Sequence, residues 1–201
     1  MNNIMKSLTI ILSLITGMVY CGVYITHPFT NYYETVYIDN GKHLLRADVR
    51  TKGEFVVADG TEIIGEYSFD ASDNLTSVII PDSVTNIMRN AFWGCFNLTN
   101  VVFGSGIREI GDKAFASSTQ LVRINLPDSL ETIGTGVFAS TSLQRTINIG
   151  SGLRNVGRFA FAFDILSTNH LPNTSINISP DNKWLRFEDK KLVRKKEDEK
   201  E

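Results

Sequence analysis

Apolar and polar residues alternate in short runs that recur along the middle of the chain. In LVRINLP, Leu121, Ile124 and Leu126 are apolar while Arg123 and Asn125 are polar. Period two over so short a run predicts a strand with one buried face. The same pattern returns every 23 residues, placing Val78, Val101, Ile124 and Ile147 in one column and Ile80, Phe103, Leu126 and Ile149 in another. Phe69, Phe92, Phe115, Phe138 and Phe161 share that step, as do Ile64, Ile87, Ile110, Ile133 and Val156. Val84, Ile107, Leu130 and Leu153 form a further column, and Gly65, Gly111, Gly134 and Gly157 another, which Met88 interrupts. One step back from Val78 and Ile80 lie Phe55 and Val57, so a partial coil precedes the full ones. A fixed period in the twenties defines a stacked solenoid, because no unit buries its apolar residues without its neighbours.

The residues of one unit predict its path. The strand ends at Pro127 and Asp128, which supply turn chemistry. Leu130 and Ile133 point back inward, Gly134 permits a tight backbone path, and Ala114 with Phe115 begins a short return. The expected fold class is a leucine-rich-repeat solenoid of 23-residue period. It has a parallel β-sheet on one face and short helical, 3₁₀ or extended returns on the other. The phenylalanines should stack as a spine. Ser72, Cys95, Ser118 and Thr141 follow it by three residues, where a small group hydrogen-bonds backbone inside a tight turn. The turns alternate between Pro81-Asp-Ser83 or Pro127-Asp-Ser129 and Gly104-Ser-Gly106 or Gly150-Ser-Gly152. The fragments GSGIREIG and GSGLRNVG lack phosphate-loop spacing and read as turns.

The two ends differ from the repeat. Leu8 to Thr26 carries no charge, and Lys6 is the last basic residue before Lys42. This describes a secretory signal or an N-terminal membrane anchor with the body exported. Cys21 follows Val19 and Tyr20, a poor setting for lipidation. At the other end, fourteen of the nineteen residues from Lys183 to Glu201 are charged. Lys190, Lys191, Arg194, Lys195 and Lys196 are diluted by acids, which suits a solvated terminus better than a basic contact patch. The expected organisation is 1–26 signal or anchor, 27–52 lead-in and N-terminal cap, 53–178 solenoid of about five coils, and 179–201 C-terminal cap and charged tail.

Charge and composition narrow the chemistry. The formal net charge is −2, and the basic excess sits in the tail, which argues against nucleic acid as a partner. Two cysteines and three histidines are too few and too scattered for a disulfide framework or a zinc cage. His27, His43 and His170 do not fall where they would activate Cys95, so its place in the small-residue column explains it. No acid/base pair or nucleophile constellation stands out, and nothing points to a cofactor or a metal. An enzyme is therefore not expected. Asn74-Leu-Thr76, Asn97-Leu-Thr99, Asn173-Thr-Ser175 and Asn177-Ile-Ser179 fit the glycosylation sequon. The first two fall on repeat columns, so their spacing has another cause.

The units NLTSVIIPDSVTNIMRNAF, NLTNVVFGSGIREIGDKAF and QLVRINLPDSLETIGTGVF resemble the repeats of BspA-like leucine-rich-repeat surface proteins. The match covers roughly Gly53 to Phe161, and YIDNGKHLLRADVRTKGEFVVADGT resembles the lead-in of such proteins. The resemblance implies an exported, cell-surface or secreted protein used in adhesion or in binding another macromolecule. The pattern departs after Phe161, with an apparent insertion before Ile176 and Ile178 and an irregular cap in which Trp184 and Phe187 cover the last coil. Outward residues of the strands form the candidate binding face: Ser77, Ile79, Asn100, Val102, Arg123, Asn125, Thr146 and Asn148. With strands ~4.8 Å apart the sheet spans about 25 Å, which suits one small protein surface. A structural role, in which the chain meets copies of itself, is the alternative.

Overall fold

The computed structural model describes residues 35–48, 50–70, 72–143, 146–161, 175–188 and 191–196. All belong to the unit Tyr33–Glu201. The signal or anchor segment, Cys21, the insertion before Ser175, the sequon residues Asn173 and Thr174 and the last five residues lie outside the described residues.

The strands in chain order are β1 Val36–Ile38, β2 His43–Arg46, β3 Gly53–Val56, β4 Ile63–Ile64, β5 Leu75–Ile79, β6 Asn86–Ile87, β7 Asn100–Val102 and β8 Glu109–Ile110. They continue as β9 Arg123–Leu126, β10 Thr132–Ile133, β11 Thr146–Ile149, β12 Asn155–Val156, β13 Ser175–Ile178, β14 Leu185–Glu188 and β15 Lys191–Arg194. Each full coil contributes two strands to two separate ladders. The predicted period-two strands pair in parallel as β3-β5-β7 and as β9-β11-β13. Register follows the columns, with Phe55 opposite Val78 and Val78 opposite Val101. Ile124 lies opposite Ile147.

The second ladder runs β1-β2-β4-β6-β8-β10-β12. Its coil members are two-residue strands that carry the inward column Ile64, Ile87, Ile110, Ile133 and Val156. The lead-in supplies its first members: β1 pairs antiparallel with β2, and β2 sets Leu44 beside Ile64. The cap is thus built by adding strands to the sheet rather than by covering it.

The fold class is the expected one, and the extended part of the returns is the short ladder; the segments expected to be helical differ. They are consecutive turns, and among the described residues Asp39–Gly41 is the one 3₁₀ segment. The cause is backbone handedness. Tyr67, Asn90, Lys113, Gly136 and Phe159 recur at the same place in each coil with φ of 55°, 54°, 56°, 62° and 59°. A second such position follows at Gly94, Ser117 and Ser140. A left-handed residue every few positions interrupts any right-handed helix.

The phenylalanines stack as predicted. Successive ring centroids from Phe69 to Phe161 lie 4.3, 4.9, 5.5 and 5.5 Å apart, with the planes within 17° of parallel. Phe55 and Phe103 meet Phe69 and Phe115 edge-on. The small column beside the spine is buried, and Cys95, Ser118 and Thr141 bond to backbone as expected, whereas the Ser72 hydroxyl has no hydrogen-bond partner among the described residues. Ser118 Oγ donates to the Phe92 carbonyl at 3.2 Å, and Cys95 Sγ to the Phe69 carbonyl at 3.5 Å. Burial, with the Asp70 and Asp73 charges adding to it, pushes the Cys95 thiol up to about 12, so it is a packing group rather than a nucleophile.

The irregular end keeps the sheet. β13 continues β11 in register, with Ile147 beside Ile176 and Asn148 beside Asn177. That step spans 29 residues instead of 23, and the inward column keeps its register across it. Part of the charged segment is ordered as the hairpin β14–β15. Leu185 is buried against the core, Trp184 and Leu192 pack beside it, and Phe187 is half-buried.

Candidate binding face

All eight predicted face residues lie outside the core, and the register places them in two rows. On the first sheet Glu54, Ser77 and Asn100 form one row and Val56, Ile79 and Val102 the other. On the second sheet the rows are Arg123, Thr146, Ser175 and Asn125, Asn148, Asn177. The β7 and β9 strands are not joined in one ladder, so the predicted sheet is two three-stranded pieces.

The two pieces carry different chemistry. Val56 and Val102 are 60% and 45% exposed, leaving an apolar row in water beside Ile79. In the corresponding positions of the second sheet stands an amide ladder. Asn177 Nδ2 donates to Asn148 Oδ1 at 2.8 Å, and Asn148 Nδ2 donates to Asn125 Oδ1. Such a ladder fixes the side chains and presents polar atoms in a row. A partner meeting both pieces would bury aliphatic groups on one and exchange hydrogen bonds on the other. Glu54, Val56, Ser175 and Asn177 also belong to this face and were not anticipated. Val56 is one 23-residue step before Ile79, so the column alone could have found it.

The outer side of the short ladder neutralises itself. Lys42 Nζ pairs with Glu62 at 2.8 Å, and Glu131 accepts from both Arg108 and Arg154. The repeated sequons have a structural cause, as foreseen. Asn97 Nδ2 donates to the Asp73 carbonyl at 2.7 Å, and Thr99 Oγ1 to the Thr76 carbonyl at 2.9 Å, tying neighbouring coils together.

One buried polar residue near the C-terminal cap was not anticipated from sequence. Asn182 donates to the Gly150 and Leu153 carbonyls at 2.9 and 3.0 Å. Its Oδ1 accepts the N–H groups of Trp184 and Leu185, each at 2.9 Å. It therefore clamps the hairpin to the last coil.

Comparison with known proteins agrees with this architecture. The BspA type leucine rich repeat region matches residues 52–181 in six copies. A search of curated proteins finds no match. Among solved structures, the chain is similar to a T. pallidum leucine-rich repeat protein, with 27% identity and a TM-score of 0.57 over 65% of this chain and 64% of that one. A leucine-rich repeat protein from Eubacterium ventriosum aligns at 25% identity and a TM-score of 0.60, over 71% of this chain and 36% of that one. The pneumococcal vaccine antigen PcpA shares the fold at 17% identity and a TM-score of 0.52, over 84% of this chain and 51% of its own. The chain thus spans less than two thirds of the length of each of these structures. With two ladders of 23-residue coils, a phenylalanine spine and a repeat match over most of its length, the chain belongs to the BspA-type leucine-rich-repeat family.

Proposed function

We propose that this chain is an exported, non-enzymatic binding module that contacts another protein, in adhesion at the cell surface, through the outward face of its strands. The observation that carries this reading is the exposed row Val56, Ile79 and Val102 on the first sheet. Nothing in the repeat requires apolar residues there, since the fold carries Asn125, Asn148 and Asn177 at equivalent positions. Exposed aliphatic surface beside hydrogen-bonding rows is the composition of a protein interface. Family membership supports a binding role, because repeat proteins use extended faces of this kind. Export is inferred from the uncharged run Leu8 to Thr26 alone.

Two measurements test this. Mass spectrometry of the mature N-terminus with cell fractionation should find the body outside the cytoplasm; recovery in the cytoplasm overturns export. In a pull-down, Val102→Asp on the first sheet and Arg123→Glu and Asn148→Arg on the second should each reduce partner recovery. Unchanged recovery removes the face from consideration. Light scattering that grows with protein concentration would instead make the partner a second copy.

A further inference from the structure

Trp93 and Phe96 depart from the repeat at exposed positions. Trp93 is 44% exposed and Phe96 49%. The coils that follow hold Ala116 and Ala139 at the first position and Thr119 and Ser142 at the second. The fold is therefore built with small or polar groups there, and neither ring is required for stacking. The coil before places Asp70 and Asp73 at the same two positions. These residues together line a cleft of about 240 Å³ around Gly94.

The geometry sets one ring against the turn. Gly94 has φ of +69°, a left-handed turn between the two aromatics. The Phe96 ring lies over it, so that a Cβ on Gly94 would meet the ring at 3.7 Å. Asp70 and Asp73 are exposed, and neither carboxylate has a hydrogen bond or an ion pair among the described residues. By contrast, Glu62 and Glu131, each just before a strand of the short ladder, are both paired with basic residues.

We propose that the Trp93–Phe96 cleft, flanked by the Asp70 and Asp73 carboxylates, is a second binding site that takes a lysine or arginine side chain of a partner protein. Charge complementarity selects the occupant. The faces of both rings attract a cation, indole most strongly, and two unneutralised carboxylates beside them add to the attraction. An acidic group would be repelled by the ring faces and by the carboxylates alike, and a purely aliphatic one would gain from the rings but be unassisted by the carboxylates. The site is lined by turn residues and shares none with the strand face, and it stands or falls independently of the function proposed for that face.

The test uses the full chain labelled with ¹⁵N. The two tryptophans give two indole N–H signals, assigned with Trp93→Phe. Capped tetralysine is titrated at low salt, with capped tetraglutamate as the comparison. The Trp93 signal should move saturably with tetralysine while the Trp184 signal stays, and tetraglutamate should move neither. Asp70→Asn with Asp73→Asn should weaken the tetralysine response about fivefold or more with an unchanged melting temperature. Half-molar salt should weaken it too. Arg123→Glu should leave it intact. No saturable shift of Trp93, equal shifts of both tryptophans, or the same response in the double variant would each overturn the proposal.

Discussion

The Asp82 carboxylate accepts the backbone N–H of Ser105, one coil further along, at 2.6 Å. The same bond joins Asp128 to Ser151 at 2.7 Å. These bonds explain the alternating turns. The Pro-Asp-Ser turn supplies the acceptor, and the Gly-Ser-Gly turn above it supplies backbone that settles onto it. The hydrogen bond from Ser105 holds the Asp82 carboxyl below its ordinary value of 3.8. A depressed carboxylate stabilises the fold above its unfolded value and loses that contribution as pH falls through the folded one. Asp82→Asn should therefore melt lower than wild type near neutrality. The gap should close as pH falls below about 3.8 in thermal melts followed by circular dichroism.

Phe115 is fully buried between Phe92 and Phe138 and meets Phe103 edge-on. Phe115→Ala should cost about 3–5 kcal/mol, since truncation leaves a cavity that stacked coils cannot close. Urea denaturation measures the loss. Stability equal to wild type would mean that the rings do not carry the stacking.

Gly150 presses on the turn below. A Cβ there would lie 2.6 Å from the backbone of Pro127 and Asp128. Gly150→Ala should cost about 1–3 kcal/mol through forced separation of the two turns. The same denaturation experiment reads it.

Asn182→Ala removes four hydrogen bonds at a buried site. The carbonyls of Gly150 and Leu153 would lose their partner, at a cost of about 1–3 kcal/mol. The damage should be local. Limited proteolysis should release the C-terminal hairpin from the variant first, while wild type is cut later and less selectively.

The long strands and the spine were legible because their columns repeat with one side chain type. The short ladder was read only as inward-pointing residues, because a two-residue strand such as Ile63–Ile64 leaves no alternation to see. The helical returns were misread for a different reason. The left-handed positions fall mostly on Tyr67, Asn90, Lys113, Phe159, Ser117 and Ser140, and only Gly94 and Gly136 among them announce the backbone they adopt. The eight residues of the candidate face all lie outside the core, as period-two alternation implies, yet the separation of β7 from β9 depends on how coils stack and leaves no mark in composition. Asn182 escaped notice because a lone amide near a charged tail looks solvated until its partners are known.

The central claim is that the outer strand face meets another protein. A photo-crosslinking residue placed at Asn148, and separately at Glu109 on the short ladder, tests it in cells that make the full chain. Adducts with a distinct protein are expected from position 148 and few from position 109. Adducts from 109 alone, or from neither position, would contradict it.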